Sequence, residues 1–431
     1  MAIVLSPTDA WETAISTALP GNVFLLRAGL YQATDKLWLN AGTAAAPIVI
    51  KPYNCEAVRL QTSIRPNSHT VIAGLTIEAV GIADTKWAIR FDGKDRGAIS
   101  DIVLRNNTIL GGTIDAVRIS GDVHNAYPGN HIDGGQEGHD IFVTAESAAV
   151  VPDQITITQN RLTKHYFDSS SEDMFQVRDV GFVEFTHNIC TDGYDMEQCV
   201  DIKNATVPLL IAHNFFDGET LHQAGEGEDG SGGCMVIHEE DGKPEQHLIE
   251  HNFFYHCGGT VIRFAPGSKA DQSSALVRYN LFVQRDAEAI MPIEAASNVL
   301  FLHNTMVNGT LKLGNSGQTR LPHNLLFQDN IFYHIHIEDN TLPPDATYVC
   351  THNLIYQLTG SGFHVTPCTN TVEADPLFLN LAQNNFYLDP NSSAIGQATD
   401  NTDIGALPSV LSSGLLTQHT FIPLVLYAAS R

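Results

Sequence analysis

The stretch Val299-Leu300-Phe301-Leu302-His303-Asn304 decides the fold. Apolar residues alternate with other residues, and a polar residue then precedes an asparagine. Closely similar phrases end at Asn107, Asn160, Asn188, Asn214, Asn252, Asn280, Asn330 and Asn353. From Asn160 onward the gaps are 28, 26, 38, 28, 24, 26 and 23 residues. Two-residue alternation, as in Ile155-Thr156-Ile157 and Leu210-Ile211-Ala212, reads as strand. A strand-rich unit that returns every ~25 residues marks a solenoid, because each coil buries its apolar face on the next. The reading is therefore all-β, a parallel β-helix. An asparagine at one point of every coil would stack as a ladder of amide hydrogen bonds and would tolerate the left-handed turn of a corner. A β-sandwich of unrelated strand–turn units is the alternative, and so many registered asparagines weigh against it.

The 431 residues, 43% hydrophobic and 16% charged, suffice for one long solenoid over 1–370. Residues 6–19 read as a helical cap on its open end, with Ser6 at the cap, Pro7 at the first helical position and Asp9 in the first turn. Trp11, Ile15, Ala18 and Leu19 share one face of that helix. After Asn353 the register fades, and 371–431 reads as an irregular closing segment packed on the solenoid. Two insertions interrupt the period, Asn125–Asp140, which reads as a long loop, and Glu219–Gly233. Insertions in solenoids project from one face and often shape a binding site.

No apolar run reaches the ~18 residues of a membrane span. The start, Met1-Ala2-Ile3-Val4, lacks the basic and apolar regions of a signal peptide. The expected location is extracellular, as a mature secreted chain or a virion component. Acidic residues outnumber basic ones 48 to 23, for a net charge of −25, which makes nucleic acid a poor partner. Monomer and homo-oligomer are equally open. The seven cysteines lack metal-type spacing. Cys190 stands where other coils carry Phe216, Phe254 and Phe282, so it reads as a packed thiol. Cys199, Cys234 and Cys257 read as buried or half-buried, and Cys350 could pair with Cys368.

Each coil carries a second short strand. Aligned, these are Ile89-Arg90-Phe91-Asp92, Val117-Arg118-Ile119-Ser120, Phe175-Gln176-Val177-Arg178, Val200-Asp201-Ile202-Lys203, Met235-Val236-Ile237-His238 and Ile262-Arg263-Phe264-Ala265. The first and third positions point inward and the others outward, so stacking turns each outward position into a column. Arg90, Arg118, Arg178, Lys203 and Arg263 thus share one face with Glu172, Asp173, Asp192, Asp195, Glu197 and Asp201. A solvated face of ion pairs is the plain account. The functional account is a groove for an acidic polysaccharide, cut by β-elimination. A uronate C5 proton becomes acidic once its carboxylate is neutralised by Arg or Ca²⁺. A base then takes it, and an acid protonates the leaving oxygen. Lys203 is the candidate base, since Arg178 pushes its pKa down while Asp201 pushes it up. His238 is the candidate acid. Arg178 and Arg263 complete the catalytic set, and Arg90, Arg118, Gln176 and Tyr194 are candidate substrate contacts. Asp173, Asp192, Asp195, Glu197 and Asp201 offer hard oxygen ligands for calcium.

Several of these segments resemble the right-handed β-helix polysaccharide lyases, closest to family 6, the alginate lyase and chondroitinase B group. The opening carries Pro20-Gly21, Gly29-Leu30-Tyr31, Gly42-Thr43, Pro47-Ile48-Val49-Ile50 and Gly74-Leu75. Glu197, Val200, Asp201 and Lys203 match the shape of that family's catalytic coil, which implies Lys203 as base. In the next coil His238 replaces the family's Arg. Glu172-Asp173-Met174-Phe175 and Thr191-Asp192-Gly193-Tyr194-Asp195 are similar to the calcium motifs of family 9 pectate lyases, with Thr191 where an Asp is expected. Two other functions use the same scaffold. One is a glycoside hydrolase or tailspike-type depolymerase with paired carboxylates. The other is a non-catalytic glycan-binding β-helix.

Overall fold

The computed structural model describes residues 1–409 apart from 34, 80–85, 134–137, 146, 148–149, 165–171, 224–232, 239–245, 266–273, 286–289, 295, 315–321, 339–347, 361–362, 364–366 and 408. At 127, 128, 133, 194, 195, 222, 223 and 290 it describes the backbone alone. The chain forms two compact units, Met1–Leu209 with Thr220–Gly232, and Leu210–Glu219 with Gly233–Arg431. Each unit is a parallel β-solenoid. In the first, Val23–Leu26, Ile48–Pro52, Thr70–Ala73, Ile99–Leu110, Val123–Asp133, Asp153–Thr158 and Val183–Thr186 stack in that order. In the second, Leu210–Ala212, Gln246–Glu250, Ser274–Arg278, Leu300–Leu302, Leu325–Gln328 and Tyr348–Thr351 do the same. No helix among the described residues is long and apolar enough to cross a membrane.

The asparagine ladder is present in both units. Asn280 donates from its side-chain amide to Asn304 Oδ1 at 3.1 Å, and Asn304 to Asn330 Oδ1 at 3.0 Å. Each amide also reaches a strand carbonyl, as Asn304 does at Val277 O, 2.8 Å. Buried amides satisfied this way fix the coil register. The left-handed residue, however, is the one before the asparagine: Gln159, His187, His213, His251, Tyr279 and His303 have φ of 57°, 56°, 58°, 55°, 55° and 52°. That residue turns the corner so that the asparagine can face inward. Its own side chain stacks on its neighbours: the ring centroids of His213 and His251, His251 and Tyr279, and Tyr279 and His303 lie 5.0, 5.1 and 5.0 Å apart. Phe216, Phe254 and Phe282 form a parallel stack in the core.

The described part of the Asn125–Asp140 stretch is not a long loop, and 134–137 lie outside the described residues. Val123–Asp133 is a strand, and Asn130 is a ladder rung that accepts from Asn107 Nδ2 at 2.8 Å. A further coil strand, Ile141–Thr144, follows it. The rung hides in the sequence because Gly129 replaces the usual polar neighbour. The N-terminal helix is shorter than expected, Trp11–Ser16. Ser6 does not cap it; the Ser6 amide and the Asp9 carboxylate close a turn instead, at 2.6 Å. Ala2–Leu5 precedes it as a strand paired with Val23–Leu26. Trp11, Ile15 and Ala18 are buried as expected, but Leu19 is 67% exposed, because the chain has already left the helix.

Cys190 is not a packed thiol. It is bonded to Cys199, and Cys234–Cys257 and Cys350–Cys368 are also disulfides. Cys190 and Cys199 lie on consecutive strands, Ile189–Met196 and Gln198–Ala205, which brings them together. At the chain end, Leu388, Ala394, Ala398 and Ile404 pack on Ile331 and Leu354. Thr399 hydrogen-bonds to both Asp329 carboxylate oxygens, and residues 410–431 lie outside the described ones.

Candidate active site

The site sheet of the first unit runs Trp87–Asp92, Asp115–Ser120, Ile141–Thr144, Phe175–Val180 and Gln198–Ala205, all parallel. Apolar residues at alternate positions hold each strand to the core, which presents the residues between them on the outer face. Arg90 is opposite Arg118, Gln176 opposite Asp201 and Arg178 opposite Lys203, as the sequence alignment expects. Arg118 and Gln176 are not adjacent. The unrecognised coil puts Phe142 between them, and Thr144 between Ser120 and Arg178.

At the centre lies a polar cluster that is mostly buried. Lys203 Nζ stands 2.7 Å from Asp201 Oδ2. Gln176 Nε2 donates to Asp173 at 2.7 Å and to Asp201 at 3.3 Å, bridging two carboxylates that are both fully buried. Burial and the neighbouring Asp201 charge hold the Asp173 carboxyl well above its ordinary range. His139 Nδ1 lies 2.9 Å from Asp115 Oδ1, and its Nε2 stands 3.3 Å from Glu172 Oε2. The latter is an ion-pair contact without hydrogen-bond alignment. Burial would lower the His139 pKa, but Asp115 and Glu172 outweigh it and push it up to about 9. Burial would raise the Asp115 carboxyl, yet His139 and Arg118 hold it below the usual range. His139, by its close contact and its charge, does the same for Glu172, against its burial. Burial raises Glu197, although Lys203 pulls it down. Lys164, 1% exposed, donates to the Glu172 carbonyl at 3.1 Å, and burial lowers its pKa against four nearby carboxylates.

For Lys203 the upward push of Asp201 prevails over the downward push of Arg178. Burial and Arg178 do lower its pKa, but Asp201, by charge and hydrogen bond, and Asp173 outweigh them, so it is raised. Lys203 rests as an ammonium ion held by Asp201. Arg178 is exposed and makes no ion pair among the described residues. Arg90 is closed off, since Asp92 pairs with it at 3.2 Å and it lies over Trp87. Arg118 pairs with Asp115 at 3.2 Å and lies over the Phe142 ring. Both guanidinium groups already have a carboxylate partner.

Among the described residues, the expected calcium ligands do not form one set. Asp192 lies on Ile189–Met196, outside the site sheet, and pairs with Arg161 at 2.6 Å. The side chains of Tyr194 and Asp195 lie outside the described residues. Asp173, Glu197 and Asp201 remain at the site, where Gln176 and Lys203 engage the Oδ2 oxygens of the two aspartates. Calcium asks for six to eight oxygens, and the described residues bring three of the expected carboxylates to the site sheet. In the second unit, His238 ends the strand Gly233–His238, half-buried and opposite Ala265. Arg263 pairs there with Glu294 at 3.0 Å.

Sequence reading missed Asp115, His139 and Lys164. His139 and Asp140 precede the alternating Ile141-Phe142-Val143-Thr144, a signal obscured by the loop-like composition before it.

Fold and face together define a parallel β-solenoid with a charged, partly buried cluster on one sheet. Solved structures of carbohydrate-active proteins have the same fold. The PL6 family alginate lyase AlyGC matches with a TM-score of 0.66 at 14% identity, over 95% of this chain and 59% of that chain. A mannuronic acid specific family 6 lyase from human gut microbiota matches at 0.53 and 15% identity, over 87% and 92%. XylC in complex with xylose matches at 0.50 and 9% identity, over 88% and 87%. This chain therefore spans 59% of the length of the alginate lyase AlyGC. The fold is the one that the resemblance to family 6 implies. No family model matches the chain, and no curated protein does.

Proposed function

We propose that the chain is a polysaccharide lyase that cleaves a uronate-containing polymer by β-elimination, with Lys203 at the reacting centre. The observation that carries this reading is the pairing of exposed Arg178 with Lys203 on adjacent coils, above the buried Asp201. Arg178 binds and neutralises the uronate carboxylate, which acidifies the C5 proton. Lys203 must lose its own proton to act as base, and Asp201 at 2.7 Å is the acceptor. A sugar covering the site expels water. That disfavours the ammonium–carboxylate pair relative to the neutral amine and carboxylic acid. The substrate thus generates the base that attacks it. The proton that Lys203 takes from C5 returns to the leaving oxygen, and His238→Ala tests separately whether the histidine expected from the sequence takes part. No step runs through calcium. The three disulfides suit an oxidising, extracellular setting.

A second reading rests on Glu197 and Glu172, whose carboxyls are pushed in opposite directions. Such a divergent pair is what a glycoside hydrolase uses as acid and base. A screen of alginate, pectate, chondroitin and bacterial capsules separates the two. Elimination generates unsaturated ends absorbing at ~235 nm. Reducing ends without that absorbance would mean hydrolysis, and neither signal would mean a binding protein.

A further inference from the structure

We propose that His139, Glu172 and Asp173 form a binding site for a divalent transition-metal ion of the zinc or manganese class. One ligand atom from each lies within 4.8 Å of the others. His139 and Asp173 are 5% and 0% exposed, so water does not compete freely. Two atoms of the trio, His139 Nε2 and Asp173 Oδ1, are buried without a hydrogen-bond partner among the described residues. Buried polar atoms left so are costly unless something meets them.

The histidine is already arranged as a ligand. Asp115 Oδ1 can only accept, so Nδ1 carries the hydrogen between them, 2.9 Å apart. That fixes the ring with Nε2 turned to Glu172. A carboxylate behind the distal nitrogen is the usual support of a metal-bound histidine. The separation of Nε2 from Glu172 Oε2, 3.3 Å, matches the edge of a tetrahedron. Bonds of ~2.0–2.1 Å give about that edge. Imidazole with two carboxylates favours zinc or manganese over calcium, which takes oxygen alone. A bound ion takes the place of the Nε2 proton and releases it to solvent. These residues differ from the calcium set expected from sequence, sharing only Asp173.

The site is tested without substrate, so its failure is separate from failure of the lyase reading. The chain is stripped with EDTA and dialysed against Zn²⁺, Mn²⁺ or Ca²⁺, and retained metal is measured by elemental analysis. The wild type is expected to retain one Zn²⁺ or Mn²⁺ per chain and no Ca²⁺. His139→Gln and Asp173→Asn are both expected to lose it. Should His139→Gln not fold, Asp173→Asn decides alone, because it preserves shape and removes a repulsion. Absence of retained metal in the wild type, full retention in Asp173→Asn, or equal retention of Ca²⁺ would each overturn the proposal.

Discussion

Lys203 Nζ and Asp201 Oδ2 are 2.7 Å apart on one strand, two residues apart in sequence, with Asp201 fully buried and Lys203 half-buried. The strand period puts both on the outer face, and the pair is therefore built into a single coil. Asp201→Asn keeps the shape but removes the proton acceptor. Turnover on the polyuronate should fall by about 100-fold or more, with the melting temperature little changed. A variant that keeps most of its kcat would exclude Asp201 from the proton path.

Arg178 is exposed and carries no packing role. Arg178→Ala should leave stability within about 0.5 kcal/mol. It should lower kcat/KM by about 10-fold or more, since a charged hydrogen bond to the substrate is lost. The loss should shrink as salt is raised, because an exposed charge is screened. Equal kcat/KM in variant and wild type at low salt would contradict the role given to Arg178.

Asp192 pairs with Arg161 on a strand outside the site sheet. Asp192→Asn should therefore leave turnover within about twofold, as befits a partly exposed ion pair of little energetic weight. Calcium added to the chelated enzyme should not change the rate of either form. A calcium requirement that disappears with Asp192→Asn would return that residue to the site.

Asn304 serves three neighbours. Its oxygen accepts from the Asn280 backbone and side-chain amides, and its amide donates to Val277 and Asn330. Asn304→Ala leaves buried donors and acceptors unmet and should cost about 2–4 kcal/mol. Chemical denaturation measures it. A loss below about 0.5 kcal/mol would mean that the ladder follows the fold rather than holding it.

The recurring asparagines carried the fold in plain sight, because a solenoid repeats one physical demand at every coil. Asn130 escaped because Gly129 precedes it where other coils carry a bulky polar residue, and with it the coil of Ile141–Thr144 was lost. That single miss misplaced Arg118 beside Gln176 and hid His139. The pairing of Arg178 with Lys203 was legible, since both lie after the miss in consecutive coils. The charge state of Lys203 was not. Strand alternation says which way a side chain points, but not that Asp173 and Asp201 are fully buried beneath it. Asp192 follows the same logic, because its motif says nothing of which sheet it joins.

The central claim is tested most directly by following ~235 nm absorbance while wild type and Lys203→Ala act on the same polyuronate. The account predicts steady growth of unsaturated product with the wild type and none with the variant, at matched circular dichroism. Product formation by Lys203→Ala at a comparable rate, or reducing ends released by the wild type without absorbance, would contradict it.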